Sequence, residues 1–390
     1  MINLALGFAS LAVWLYLLAG RGRFWRGEEL FETVRPDNER RFDGDWPRVT
    51  AIVPARDEAD VIGQTVASLA RQDYPGPFAV VVVDDQSSDG TASVARRAEV
   101  ADRPLTVLQG ESPPAGWSGK VWAMRQGVVA ANAAREPPDY LLFVDADIVL
   151  KDGVLRRLVA LAQAKRAALT SLMVKLRCES PAERLLVPAF IFFFQMLYPF
   201  SWVNDPRRRT AAAAGGCMLV HRQALAEAGG LAGLRGALID DCALAALMKR
   251  RGPIWLSLTQ NAFSLRAYPA FVDFGRMVAR SAFAELRFSS LRLIVALAAM
   301  GLVFLAPPLL VVFSRGAPQA LGAAAWAIMG FVFAPTLRLY RRPVLIGLAL
   351  PAIGAAYILF TIQSALTYWT GRGGLWKGRV QAPLPKAERA

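Results

Sequence analysis

Three apolar runs in the first half of the sequence end in side chains that could do chemistry. Val49–Pro54 leads into Arg56, Asp57 and Glu58, Phe78–Val83 into Asp84 and Asp85, and Tyr140–Val144 into Asp145 and Asp147. Carboxylates gathered in one crevice can accept hydrogen bonds, bind a hard cation or remove a proton. One acidic residue alone would read as a turn or a helix cap, and Asp89, in the turn Asp89-Gly90, is read that way. The set of strand-end acids is the strongest physical signal in the chain.

The elements that must position these residues follow from periodicity. Asp60–Gln72 carries Val61, Ile62, Val66 and Leu69 at helical spacing, and Thr91–Val100 and Trp117–Ala134 also read as helices. Leu105–Leu108 is a short strand. Continuous apolar strands between helices predict a parallel sheet covered on both faces, a Rossmann-like α/β domain. Ligands of such sheets bind beyond the carboxyl ends of the strands, where the acids stand.

The 390 residues are 54% hydrophobic and 19% charged, below the roughly 25% charged of a soluble protein. The apolar excess is concentrated. Residues 1–20 predict a membrane anchor, followed by Arg21, Arg23 and Arg26, with charge after the run rather than before it as in a signal peptide. Leu291–Phe313, Ala320–Leu337 and Val344–Tyr368 predict three more spans in a membrane region at 291–370. The formal charge of +14 comes from 45 Lys and Arg against 31 Asp and Glu. Its clusters flank the apolar runs, as in Arg338, Arg341 and Arg342, which matches the positive-inside rule and not a nucleic-acid surface. A linker over 21–45, a cytoplasmic domain over 46–290 and a basic tail over 371–390 complete the expected order. Three spans after a cytoplasmic domain leave the C-terminus outside, whereas the basic tail argues for the cytoplasm. Residues 185–203, rich in Phe, predict an interfacial helix. Cys178, Cys217 and Cys242 form no disulfide framework or metal motif, as expected in a reducing cytoplasm.

The motifs VPARDE (53–58), VVVDDQSSDGT (81–91), GWSGKVWAM (116–124), FVDADI (143–148), AGGCMLVHR (214–222) and IDDCALA (239–245) occur in the order found in family 2 glycosyltransferases with a GT-A fold. Most closely, over about residues 45–290, the chain resembles the bacterial hopanoid-associated glycosyltransferases, relatives of ceramide glucosyltransferases. The resemblance implies that Asp84 and Asp85 bind uracil and ribose, and that Pro54 and Ala55 pack on the base with Glu58 nearby. It implies that Asp145 and Asp147 are a DxD pair binding Mg²⁺ or Mn²⁺ with the donor diphosphate, mainly through Asp147. Asp240 and Asp241 match the family's Glu-Asp pair, with Asp for Glu at the first position, and Asp241 is the general base. One base and no protein nucleophile imply inversion. Gly215 and Gly216 leave room for the acceptor, and Lys120 lies near the phosphates, outside any Walker loop.

Relatives carry a QxxRW-like motif before the first C-terminal span. Here Ala284–Phe288 lacks the Gln and has Phe for Trp, but Arg287, and also Arg280, remain as diphosphate contacts. The lone His221 falls in a strand-to-helix turn and is not expected to act in catalysis. The expected activity is therefore transfer of a sugar from a nucleotide-sugar to a lipid acceptor at the cytoplasmic face of the inner membrane. A processive polysaccharide synthase and a catalytically silent nucleotide-sugar-binding scaffold are the alternatives.

Overall fold

Runs of Val, Ile and Leu with no polar alternation can satisfy a strand only if both faces of the sheet are covered, and the computed structural model has this arrangement. It describes residues 1–34, 46–98 and 103–371, with two short strands at 375–376 and 379–380. In chain order the first half carries α1 (Ile2–Ala19), β1 (Val49–Ala55), α2 (Ile62–Ala70), β2 (Phe78–Asp84), α3 (Thr91–Arg97), β3 (Leu105–Gln109), α4 (Gly119–Asn132) and β4 (Tyr140–Val144). Next come β5 (Ile148–Leu150), α5 (Val154–Ala164), β6 (Leu169–Lys175), α6 (Pro181–Leu197), α7 (Phe200–Asn204), β7 (Cys217–His221) and α8 (Arg222–Glu227). The last part holds α9 (Asp240–Met248), β8 (Ile254–Ser264), α10 (Phe271–Glu285), α11 (Ser290–Met300), α12 (Ala306–Phe313), α13 (Ala317–Leu339) and α14 (Leu350–Trp369).

Two units separate. One comprises 29–176, 202–266 and the terminal segment from 375, and the other 1–28, 177–201 and 267–374. The domain expected over 46–290 therefore gives up 177–201 and 267–290 to the helical unit.

The sheet unit has eight strands in the order β3-β2-β1-β4-β7-β6-β8-β5. β3, β2, β1 and β4 are parallel, as expected, while β7 runs antiparallel to both β4 and β6. β6 and β8 are parallel, and β5 closes the edge antiparallel to β8. Ile62, Val66 and Leu69 of α2 and Leu155, Leu158 and Val159 of α5 join the strands in the larger core. On the other side Ala123 of α4 packs on Val81 and Val83. The helix comes so near that a Cβ on Gly127 would lie 2.4 Å from Ile52 Cγ2, which is why glycine stands there.

In the helical unit four helices are long and apolar enough to cross a membrane: Ile2–Ala19, Ser290–Phe313, Ala317–Leu339 and Val344–Trp369. The second contains a π-helical turn at Gly301–Leu305, and the Trp14 indole N–H donates to the Val303 carbonyl there (2.8 Å). The run expected at the interface divides into α6 and α7. Within this unit Phe192 packs on Phe333 (ring centroids 5.1 Å) and Phe193 on Tyr357 (4.7 Å), so the aromatics of α6 are covered by neighbouring helices. Ser180 and Glu183 form a capping box at its start, and Arg21 donates to the Met196 and Leu197 carbonyls at its end.

Candidate active site

Strand register assembles the site. The parallel half sets the ends of β1, β2 and β4 side by side, with Ala55 opposite Asp84 and Ile52 opposite both Val81 and Phe143. Because β7 is antiparallel to β4, Cys217 faces Val144, which brings Gly215 and Gly216 to Asp145. Because β5 is antiparallel to β8, Ile148 faces Ser264, which brings the end of β8 to Asp147.

Lys120, Asp145, Asp240, Asp241 and Gly215 form one cluster. Lys120 Nζ lies 2.8 Å from Asp145 Oδ1 and 3.3 Å from Asp240 Oδ2. Burial alone would lower the Lys120 ammonium, but Asp145 and then Asp240 outweigh it and push its pKa up. It is therefore a fixed internal cation. Asp145 is raised, first by burial and further by the charge of Asp147, with Lys120 acting against both. Asp241 accepts from the Gly215 N–H at Oδ2 (2.9 Å) and from the Cys242 N–H at Oδ1 (2.7 Å). Burial, and then the neighbouring Asp240, push its carboxyl up to about 7, the range of a base working near neutrality. Ile239 is the N-cap residue of α9, and the first-turn backbone bond is made by Asp241, not Asp240.

The two glycines differ. A Cβ on Gly215 would stand 3.3 Å from Asp241 Oδ2 and 3.5 Å from Lys120 Nζ, so its bareness leaves space at the base. A Cβ on Gly216 would meet Val174 Cγ2 at 2.9 Å. Gly216 therefore allows close packing against β6.

Around Asp147 the Ser264 hydroxyl donates to Oδ2 (2.5 Å) and the Leu265 N–H donates to the Asp147 carbonyl (2.8 Å). Arg266 Nε lies 3.6 Å from the same Oδ2, while its Nη2 donates to Glu58 Oε1 (2.5 Å). Asp145 and Asp147 are hard oxygen ligands in one turn that already feel each other's charge, which suits a Mg²⁺ or Mn²⁺ completed by phosphate and water oxygens. Among the described residues no group of three or more His, Cys, Asp or Glu forms a closed metal cage.

At the third strand end Asp85 is fully buried, with Oδ2 3.9 Å from Arg56 Nη1, and that nitrogen donates to the Asp85 carbonyl. Asp84 Oδ1 accepts from the Ser87 N–H (3.3 Å). Pro54 and Ala55 are both buried, and Ala55 lies in the larger apolar core, so neither offers open area to a base in the free protein. Asp89 has the expected role in a turn: it accepts from the Thr91 N–H and hydroxyl and from the Ala59 N–H. His221 Nδ1 accepts from the Ala224 N–H at the start of α8, a structural role. Arg280 and Arg287 belong to the helical unit and are exposed; Arg287, at φ 53°, lies in the turn after α10.

Sequence reasoning missed Ser264 and Arg266, since β8 shows neither an unbroken apolar run nor clean alternation. It also missed the link between the segments that carry Lys120 and Asp240. Arg235 lies over Trp117 (5.2 Å), tying the loop before α4 to the turn before α9, and Arg125 of α4 lies over the same indole (5.6 Å).

Comparison with known proteins places the fold and the family. Residues 47–261 match the model of the glycosyltransferase like family 2. An N-acetylglucosaminyltransferase of Mesorhizobium japonicum is 30% identical over 194 residues, 47% of this chain and 43% of the relative. A 4,4'-diaponeurosporenoate glycosyltransferase of Staphylococcus aureus is 38% identical over 109 residues, 27% of this chain and 26% of the relative. The chain thus spans less than half the length of these curated relatives. The mannosyltransferase PcManGT of Pyrobaculum calidifontis, solved with GDP-Man and Mn²⁺, shares the fold with a TM-score of 0.56 at 18% identity, over 92% of this chain and 99% of that one. With more than half of its residues inside the family model, this chain belongs to the glycosyltransferase like family 2.

Proposed function

We propose that this enzyme transfers a sugar from a nucleotide-diphosphate sugar, with a uridine donor as the first choice, to the hydroxyl of a membrane lipid, inverting the anomeric carbon without processive elongation. The observation that carries the reading is Asp241. It is oriented by two backbone N–H groups, poised near neutral pH and faced by a glycine that leaves the approach open. An attacking hydroxyl loses its proton as the new bond forms, and the Asp241 carboxylate is the group to take it. Asp84 and Asp85, both buried in the free protein, stand at the strand end where the nucleoside would bind, and Lys120 holds Asp145 and Asp240 in place. Mg²⁺ or Mn²⁺, held by Asp147 with Asp145, would supply Lewis-acid stabilisation of the leaving diphosphate. The relatives named as glycosyltransferases support a sugar donor, and the neighbour solved with GDP-Man and Mn²⁺ is consistent with a nucleotide-linked one.

The four apolar helices support a lipid acceptor presented at the membrane, a hopanoid or another polyprenoid alcohol being the first candidates. The catalytic unit would then face the cytoplasm, where nucleotide-sugars are made. The test uses detergent-purified protein, labelled nucleotide-sugars and membrane lipids, with Mg²⁺, Mn²⁺ or chelator. Label should enter the organic phase, depend on metal, and be lost in Asp147→Asn and Asp241→Asn. Failure to release a nucleoside diphosphate from any donor would overturn the reading, and a polymeric product would replace it with processive synthesis.

A further inference from the structure

Three basic side chains reach the acidic crevice, and they are not equally available. The Lys120 side chain is 15% exposed and enclosed by Asp145 and Asp240. That of Arg56 is 17% exposed and turned onto the carbonyls of Asp85 and Gln86. That of Arg266, at 34%, is the most open of the three. It bridges two carboxylates that arrive on different strands, Glu58 after β1 and Asp147 between β4 and β5. Its mount is fixed from both sides. The Leu265 N–H bonds the Asp147 carbonyl, and the Arg266 N–H donates to Ser264 Oγ (3.1 Å), which itself donates to Asp147 Oδ2. The guanidinium is therefore held beside the carboxylate that the proposed function assigns to the metal.

We infer that Arg266 binds the donor diphosphate, exchanging Glu58 for phosphate oxygens as the nucleotide enters. The inference rests on the nucleotide-sugar reading given above. The crevice holds several carboxylates, so a multiply charged anion gains from a side-chain cation that can change partner. A guanidinium suits that exchange, because its planar donors match a phosphate in pairs as well as they match a carboxylate. Glu58 has the complementary role: in the free protein it keeps the guanidinium neutralised and aimed into the crevice. Asp147 and Ser264 keep the base of the side chain in place whichever partner the fork holds.

The test is calorimetric titration of the full chain in detergent with uridine and guanosine diphosphates and with the corresponding nucleosides, in Mn²⁺ and in chelator. Arg266→Ala should weaken whichever diphosphate the wild type binds by at least about tenfold, in chelator as well as in Mn²⁺, and leave nucleoside binding unchanged. Arg266→Lys, which keeps the charge and loses the fork, should recover part of the loss. Glu58→Gln should bind the diphosphate at least as tightly as wild type, because the competing carboxylate is gone. Equal diphosphate affinity in wild type and Arg266→Ala overturns the inference. So does an equal loss for nucleoside and diphosphate, since that signature belongs to a collapsed site. If the wild type binds no nucleoside diphosphate at all, the proposed function fails and takes this inference with it.

Discussion

At the scale of single residues, Asp241 as the proposed base would tie the chemistry to pH. Its carboxyl is pushed from 3.8 up to about 7 by burial and by Asp240, and only the ionised form can accept the acceptor's proton. The expected kcat/KM therefore falls about tenfold per pH unit below about 7 and levels off above it. Stability runs the other way. A carboxyl that holds its proton more tightly folded than unfolded favours folding below about 4 and loses that contribution as pH rises to about 7. Relative to wild type, the Tm of Asp241→Asn should accordingly improve between pH 5 and pH 8 while transfer stays abolished. A Tm difference that does not change with pH would place the charge of Asp241 elsewhere. Gly215 gives a second test. Its φ is not in the left-handed region, so alanine adds no backbone strain, but its Cβ would press on Asp241 Oδ2 at 3.3 Å. Gly215→Ala should lower kcat by about tenfold with little change in donor KM, measured in the transfer assay. An unchanged kcat would mean that the base has slack.

At the scale of elements, the parallel half of the sheet was legible and the antiparallel half was not. Phe78–Asp84 and Tyr140–Val144 are unbroken apolar runs because their strands are covered on both faces, and the acids after them follow from that reading. β8 mixes Trp255, Ser257, Thr259, Gln260 and Asn261 into its length, so nothing local announces that Ser264 and Arg266 end a strand beside Asp147. α6 read as interfacial because covered phenylalanines and lipid-facing ones look alike in a sequence. Lys249 is another case that only the fold explains. Its Nζ donates to the carbonyls of Trp202, Val203, Asp205 and Thr210, fixing the segment that leads through Ala211–Ala214 to Gly215. Lys249→Met keeps the aliphatic stem and strands those carbonyls. The expected loss is on the order of 2–4 kcal/mol, read as a fall in Tm, with looser control of Asp241 appearing as a lower kcat. A Tm equal to wild type would show that water replaces the ammonium at no cost.

At the scale of the whole molecule, the charges beside the apolar helices give the described residues one consistent threading. Arg21, Arg23 and Arg26 follow α1, and Arg338, Arg341 and Arg342 stand between the last two long helices. In the orientation proposed above, α1 would cross inward and the catalytic unit would face the cytoplasm. Ser290–Phe313 then crosses outward and Ala317–Leu339 returns, which brings the arginines at 338–342 inside as the positive-inside rule requires. Val344–Trp369 would cross outward once more, and position 371 would then lie outside the cytoplasm. The basic residues after Gly371 oppose this assignment, and they lie outside the described residues apart from Arg379, whose backbone alone is described. The arginines at 338–342 adjoin two candidate spans, whereas the tail adjoins only one, so the fusion test below is placed to read both. Alkaline phosphatase fused after Gly371 should be active outside the cytoplasm, while fusions after Arg26 and Arg342 should be inactive. Activity reversed at Gly371 alone would mean that one of the three C-terminal helices enters the membrane without crossing it. The helix broken by the π-helical turn at Gly301–Leu305 and by Pro307 and Pro308 would then be the one to examine, because its backbone ladder is already interrupted at mid-length.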